Sequence, residues 1–360
     1  MSSLQSPLYR PAPFAGDLDP SARQDGFLSA GRRPLTPDAS PGLRRAVLLL
    51  TGHLVVALVA LVVIGGTTRV MEAGLACPDW PLCYGVLLPG RQMNVQVFLE
   101  WFHRLDAFLV GLALLALSGL SLAYRLRLPG WLPWLSAAAL ALVAVQGLLG
   151  ALTVIHLLEA STVTAHLGTA LVLVLLVSAL HQRLVVAFAV PALATKALGT
   201  EPPGKEAIAE PPTVGPTWWR LLLPLSVLLV LGQCLVGGAM ASQWSAKLCF
   251  AAGQACSWLL AHRLGAYPAA LSVLMLGLAS LALPASARAW RGFALAASGL
   301  VLLQLLLGVF TLRLALAVPA ITISHQFTAA LLVALLGALL GRTWPGSTSS
   351  VPSILKVDHG

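Results

Sequence analysis

Eight long apolar runs constrain the fold of this chain more than any other feature. Each run is long enough to cross the roughly 30 Å hydrocarbon layer of a membrane as a helix. The composition agrees, because 58% of the 360 residues are hydrophobic and only 10% are charged. We therefore predict an all-α integral membrane protein with eight transmembrane helices. The predicted spans are 46–66, 97–123, 131–154, 161–181, 219–241, 257–283, 292–314 and 320–341.

The positive charges predict which side of the membrane each loop occupies. With a cytoplasmic N-terminus, the inner segments carry sixteen Lys and Arg residues and the outer segments carry four. This bias follows the positive-inside rule and predicts that both termini are cytoplasmic. The net charge of +9 does not indicate nucleic-acid binding, because the charges form no basic stripe with exposed aromatic residues.

The segments outside the apolar runs have a different composition. Residues 1–45 are rich in Pro, Ser, Gly and charges of both signs, so we expect a disordered cytoplasmic tail. This segment has no apolar h-region and carries four Asp residues, which argues against a secretory signal and against a mitochondrial presequence. We expect a multi-pass protein of a bacterial inner membrane, with a cytoplasmic linker at 184–218 and a cytoplasmic tail at 342–360.

The cysteines form two close pairs in predicted outer loops. Cys77 and Cys83 lie in the first outer loop, and Cys249 and Cys256 lie in the third. Both pairs face the oxidising side, where disulfides persist. A four-cysteine zinc site and a redox-active pair are the alternatives, although the spacings do not match the usual zinc knuckle. Cys234 falls within a span and is expected to be a buried thiol.

The eight spans consist of two copies of a four-helix unit, 46–183 and 219–341. "VVIGGTTRV" corresponds to "CLVGGAMAS", "FHRLDAFLVGLAL" to "AHRLGAYPAALSV", "QGLLGALTV" to "QLLLGVFTL", and "TAHLGTALVLVLL" to "SHQFTAALLVALL". The spacings agree, since 43 residues separate His103 from Gln146 and 42 separate His262 from Gln304. An even number of spans in each half predicts a parallel repeat, related by an axis along the membrane normal.

Each half offers two histidines near the outer ends of its spans. His103 and His166 belong to the first half, and His262 and His325 belong to the second. Two imidazoles at equal depth on neighbouring helices can bind the iron of one porphyrin from both sides. A single membrane histidine is more often a packing residue, but four in duplicated positions favour haem ligation.

The other four histidines have no such duplicated pattern. His53, His156, His181 and His359 are expected to be structural or solvated, although His156 could contact a ligand from the outer side.

An arginine follows the first histidine of each half. Arg104 and Arg263 either extend to the membrane interface or pair with haem propionates, which suit the planar guanidinium. Asp106 lies three residues after His103, and Gly265 takes its position in the second half. It either orients His103 or pairs with an arginine.

Glu100 distinguishes the first half from the second. It lies three residues before His103 on the same helix face, whereas Leu259 occupies the corresponding position of the second half. This asymmetry predicts that the second half holds a permanent haem that relays electrons, while the first half holds a haem-like substrate beside Glu100. The alternative is that Glu100 only caps its span, paired with Arg69 or Arg91.

These residues resemble the haem A synthase family over roughly 46–341. The motifs are "GGTTRVMEAGLACPDWPLCYG", "EWFHR", "QGLLGALTV", "TVTAHLGTALVLV", "HRLGAY" and "SHQFTAALL". By position, the resemblance implies that Glu100 is the catalytic residue and that His103 and His166 bind the substrate haem. It implies that His262 and His325 bind haem b.

The resemblance also implies an activity and its reactants. The family oxidises a ring methyl of haem O to the formyl group of haem A by successive hydroxylations, for cytochrome oxidase biogenesis. Molecular oxygen is the expected oxidant, haem O synthase the expected delivery partner, and the electron donor is not identified by the sequence. The resemblance further implies disulfides Cys77–Cys83 and Cys249–Cys256. The competing hypotheses are a non-catalytic di-haem electron carrier and a membrane transporter.

Overall fold

The described residues fold into eight long helices. The computed structural model describes residues 39–198, 216–241, 257–284 and 287–343, with side chains in the fourth helix described through residue 189. The helices are α1 Pro41–Val70, α2 Val95–Ala123, α3 Leu132–Ile155, α4 Ala160–Leu198, α5 Thr217–Ala241, α6 Ser257–Ser280, α7 Arg288–Arg313 and α8 Pro319–Thr343. All eight are long and apolar enough to cross a membrane, and no strand occurs in the described residues, so the predicted fold class is confirmed.

Several helices extend beyond the apolar runs that predicted them. α1 begins at Pro41, where the Ser40 side chain accepts a hydrogen bond from the Leu43 amide at 3.3 Å. The Asn94 side chain caps α2 in the same way, accepting from the Val97 amide at 2.9 Å. Such caps stabilise helix starts that hydropathy does not detect, because they act on backbone amides rather than on apolar surface.

The fourth helix enters the segment that we predicted as a linker. Its membrane-crossing part is Ala160–Ala189, and the helix continues to Leu198. The apolar sequence of 184–195 explains this extension, since it contains no cluster of turn-forming residues. Residues 199–215, the rest of the predicted linker, lie outside the described residues, as do residues 1–38 and 344–360.

The helices contact one another as two rings of four. α1 contacts α2 and α4, while α3 contacts α2 and α4, and the same pattern joins α5, α6, α7 and α8. α4 contacts α8 across the two rings, and the pairs α1–α8 and α4–α5 also cross. This connectivity is the one expected from the sequence repeat. The symmetry axis, the orientation in the membrane and the domain boundaries remain predictions.

The two rings approach most closely along α4 and α8. A Cβ atom at Gly337 would lie 2.5 Å from the Leu175 carbonyl oxygen, so only glycine allows this backbone approach. The Ser178 hydroxyl donates to the Ala334 carbonyl at 2.6 Å, on the same pair of helices. The helix pair α4–α8 therefore sets the distance between the halves, and it fixes how the site between them is enclosed.

Candidate functional site

One large cavity lies between the two rings. Its volume is about 2020 Å³, roughly twice the upper limit of ordinary ligand pockets, which hold about 300–1,000 Å³. Residues of both halves line it, including the four duplicated histidines, Glu100, Arg69, Arg104, Arg263 and Arg313. A cavity of this size has room for two large planar ligands.

His103 and His166 face this cavity from α2 and α4. The His103 ring packs against Gly65 of α1, where a Cβ atom would lie 2.8 Å from Cε1. The His166 ring packs against Gly150 of α3 in the same manner, at 3.5 Å. Both rings line the same cavity. Their Nδ1 atoms are buried and have no hydrogen-bond partner among the described residues. Buried polar atoms of folded proteins are usually paired, so these two are exceptions.

His262 and His325 occupy the corresponding positions of the second half. A Cβ atom at Gly237 would lie 2.8 Å from Cε1 of His262, and one at Gly308 would lie 3.2 Å from Cε1 of His325. These two rings also line the cavity. The structure thus brings together the histidines of each half, and the glycine facing each ring repeats with it.

Glutamine side chains contact three of the four histidines. The Gln233 amide nitrogen lies 3.0 Å from Nδ1 of His262 and donates to the His262 carbonyl at 2.7 Å. The Gln304 amide nitrogen lies 3.2 Å from Nε2 of His325, and that of Gln146 donates to the His166 carbonyl at 3.0 Å.

His103 has no equivalent glutamine. In the repeat, Leu61 occupies the position of Gln233, and a leucine has no amide to place beside the His103 ring. Sequence reasoning missed this difference, although the aligned repeat contains it. The second half therefore orients its α6 histidine more firmly than the first half orients its α2 histidine.

Glu100 is buried at the cavity wall and both of its oxygens are engaged. Oε1 pairs with the Arg104 guanidinium at 2.5 Å, and Oε2 accepts from the Cys77 amide at 2.8 Å. The alternative in which Glu100 pairs with Arg69 or Arg91 is not what the structure shows, because the carboxylate pairs with its i,i+4 neighbour Arg104 instead. These two bonds hold the carboxylate one helical turn from His103.

Arg104 binds the loop between α1 and α2 through hydrogen bonds. Besides Glu100, its guanidinium donates to the carbonyls of Asp79 and Leu82 at 2.5 Å each and to that of Cys77 at 3.4 Å. Arg104 therefore finds its acceptors in the folded loop, and its two predicted roles, at the membrane interface or on haem propionates, remain predictions. Arg263 is exposed, lines the cavity and makes no side-chain hydrogen bond to a described residue. Among the described residues the two arginines therefore differ in their contacts.

The first cysteine pair closes the loop that Arg104 binds. Cys77 and Cys83 form a disulfide, and both residues are buried. A zinc site made of all four loop cysteines is excluded, because two of its ligands are joined to each other. Cys249 and Cys256 lie outside the described residues. Cys234 is a free thiol that lines the cavity.

Of the remaining polar residues that the sequence singled out, one lines the cavity and another makes a contact between helices. Arg69 lines the cavity, and its side chain has no hydrogen-bond partner among the described residues. Asp106 likewise has no partner among the described residues, and both of its predicted roles remain predictions. Nδ1 of His181 lies 2.9 Å from the Thr51 hydroxyl, linking α4 to α1.

Two further histidines also make local contacts. His53 bonds to the Leu49 carbonyl at 2.7 Å, and His156 lies 3.4 Å from Glu159. These contacts agree with the structural or solvated roles predicted for them, and His359 lies outside the described residues.

Comparison with known proteins identifies the family. The profile of COX15-CtaA, described as cytochrome oxidase assembly protein, matches residues 47–336. The chain belongs to this family. The COX15-CtaA match runs from α1 to α8 and includes Glu100 and all four cavity histidines.

Several individual proteins to which the chain is similar are named haem A synthase. The chain is similar to "Heme A synthase" of Azorhizobium caulinodans, with 34% identity over 39% of this chain and 43% of the relative. It is 28% identical to "Heme A synthase" of Shewanella oneidensis over 53% of this chain and 55% of that protein. The matches thus span about half the length of these relatives.

A shorter match connects the chain to a different protein. "Protoheme IX farnesyltransferase" of Haloarcula marismortui is 41% identical over 58 residues, which is 16% of this chain.

Eight membrane-crossing helices and the COX15-CtaA membership make this chain a multi-pass protein of the bacterial inner membrane.

Proposed function

We propose that this protein is a haem A synthase, an oxidoreductase that converts haem O to haem A for cytochrome oxidase biogenesis. One observation carries the proposal: in a COX15-CtaA chain, two histidine pairs and a buried carboxylate line one cavity. The reaction would oxidise a ring methyl of haem O to a formyl group through successive hydroxylations.

The residues present fit two iron porphyrins. His103 and His166 would hold haem O, and His262 and His325 would hold haem b. Buried imidazole nitrogens without partners are costly unless a ligand engages them, and three of these four rings have such a nitrogen. When bound, the iron porphyrins and molecular oxygen supply the oxidation of an unactivated methyl group, which protein side chains cannot perform alone.

Glu100 would act on charge and protons beside the substrate. Its carboxylate lies in the first half, is buried, and is oriented by Arg104 and by the Cys77 amide. A positioned carboxylate can accept protons or stabilise positive charge that develops on a bound substrate. Leu259 can do neither, which supports assigning the substrate to the first half and electron relay to the second.

The proposal is tested by the haem that accumulates in membranes. We expect co-expression with a haem O synthase, which would deliver the substrate, to yield haem A. Glu100→Gln keeps the side-chain volume and removes the charge, so it should retain bound haem but accumulate haem O or a hydroxylated intermediate. Extraction and chromatography of the haems measure both results.

The matched control is Leu259→Gln, which places the same amide at the equivalent position of the second half. This variant should still produce haem A. Wild-type amounts of haem A from Glu100→Gln would contradict the catalytic role of Glu100. Bound haem without any conversion by the wild type would favour the second candidate, a non-catalytic di-haem electron carrier, which the paired histidines alone would also support.

A further inference from the structure

A second, smaller cavity lies on the outside of the first half. It is a groove between α2 and α3 with a volume of about 270 Å³. Its walls are apolar, with Phe108, Gly111 and Leu115 on α2 and Leu140 and Ala144 on α3. Phe108 and Leu115 are exposed, so the groove opens toward the lipid. Its volume is below that of pockets for drug-sized ligands and suits a single hydrocarbon chain.

The groove adjoins the large histidine cavity. Ala107, Phe108 and Val143 line both spaces, so a ligand bound beside His103 could extend directly into the groove. Ala107 follows His103 by four residues and therefore lies on the same face of α2. From Ala107 to Leu115 the groove runs about 12 Å along the helix, away from the histidine end.

The second half has different residues at the corresponding positions. In the repeat, Ala270 replaces Gly111, Leu302 replaces Ala144, and Ser298 replaces Leu140. The Ser298 hydroxyl donates to the Val273 carbonyl of α6 at 3.3 Å, which ties α7 to α6 at this depth. Ala270 and Leu302 are larger than their counterparts, whereas Ser298 is smaller than Leu140 but bonds across the two helices. The second half therefore lacks the small residues Gly111 and Ala144 that form the groove in the first half.

We propose that the groove binds the isoprenoid tail of the substrate porphyrin. Haem O differs from haem b by such a tail, so only the half that holds haem O needs a groove beside its histidine. The inference rests on the proposed function and adds to it a specificity site, formed chiefly by Gly111 and Ala144. An apolar chain in an apolar groove gains affinity with each methylene removed from water.

The test fills the groove and compares porphyrins with and without a tail. Ala144→Leu introduces the side chain that the second half has at this position. The purified holoprotein, with haem b in the second half, is titrated with haem O and with protohaem, and binding is followed by absorbance. We expect haem O to bind about tenfold more weakly, as displacing about two methylenes implies, and protohaem to bind as before.

Ala137→Leu is the matched control. Ala137 lies seven residues earlier on the same helix, is exposed, and does not line the groove. This variant should bind both porphyrins like the wild type. Retention of haem b in the second half shows that each variant is folded.

Three results would overturn the groove assignment. Haem O binding could be unchanged in Ala144→Leu, or both porphyrins could weaken equally, which would indicate general damage to the site. Loss of a co-purified phospholipid with unchanged haem O binding would identify the groove as a lipid site. If the wild type binds haem O but never converts it, the proposed function fails while the groove assignment is still judged by the titration.

Discussion

Gln233 gives His262 a polar neighbour that His103 lacks. The amide contacts both the ring and the backbone carbonyl of His262, so it restricts rotation of the imidazole. Partners of this kind orient histidine ligands and raise their affinity for metals. Leu61 provides no such contact for His103. A firmly held ligand suits a permanent haem, whereas a less restrained ligand suits a substrate that must leave.

We expect Gln233→Leu to weaken haem b binding by about tenfold, the lower end of the effect of losing a histidine-orienting partner. It should also change the low-spin EPR signal, because the imidazole of His262 would no longer be held in one orientation. Haem b retained during purification and the EPR spectrum measure these effects.

The reciprocal variant, Leu61→Gln, is the control, and it should leave the haem b signal unchanged. An unaltered EPR spectrum in Gln233→Leu would show that the amide does not orient the ligand.

For single residues, the sequence predicted which side chains lie at the candidate site better than it predicted the partners that they contact. The duplicated histidines line one cavity as expected, because helix periodicity and depth determine which residues share a site. The partners of Arg104 could not be predicted. They are loop carbonyls, and the path of a loop depends on tertiary contacts that composition does not encode.

The conformation of segment 71–94, the loop between α1 and α2, depends strongly on one side chain, that of Arg104. Arg104 donates to three of its carbonyls and also neutralises Glu100. The disulfide Cys77–Cys83 crosslinks the same segment. Hydrogen bonds from a charged donor stabilise more strongly than neutral ones, by about 1.5–3 kcal/mol each.

We expect Arg104→Gln to loosen this segment. Amide hydrogen exchange in residues 72–94 should become at least about tenfold faster, since the lost bonds exceed 1.4 kcal/mol in sum. Hydrogen-exchange mass spectrometry of the purified protein measures the change.

Arg263→Gln is the matched control, because Arg263 makes no comparable bonds to the described residues. Its exchange in the same segment should equal that of the wild type. Equal exchange in Arg104→Gln would mean that the disulfide alone fixes the loop.

Helix positions were predictable and helix ends were not. The apolar runs located all eight helices, because lipid exposure demands long apolar stretches. α1 and α4 extend further at ends where capping residues or continued helix-compatible sequence decide the boundary. The tails and part of the predicted linker fall outside the described residues.

At the scale of the whole molecule, α4 and α8 join the two halves through backbone contact. Gly337 meets the backbone of Leu175, and the Ser178 hydroxyl bonds across the same interface. Close packing of this kind is typical of membrane helices, where small residues let backbones approach.

We expect Gly337→Ala to destabilise the protein by about 1–3 kcal/mol, because the added methyl group meets backbone that cannot move aside. The melting temperature of the purified protein should fall, and haem should be lost from both halves together. Thermal unfolding followed by absorbance measures this.

Gly299→Ala is the control, since nothing lies within 4 Å of a Cβ atom there. It should leave stability unchanged or raise it slightly, as alanine favours helix. If Gly337→Ala were equally harmless, the interface would be looser than the contacts indicate.

The repeat predicted the two rings and their order in the chain. It did not predict that α4 and α8 would be the closest contact between them. Glycines 337 and 341 have Ser178 and Gln182 as their counterparts in the repeat, so the interface is asymmetric in composition and could not be read from the duplicated motifs.

The contacts of Arg104 have a consequence for genetics. One guanidinium serves the carboxylate of Glu100 and the carbonyls of the disulfide loop, so neither partner can be altered without disturbing the other. Substitutions at Glu100 and at Cys77 will therefore be epistatic, with a double mutant less impaired than the product of the single effects. A cysteine mutant from this loop will resemble a mild Glu100 mutant, even though the disulfide itself need not take part in chemistry.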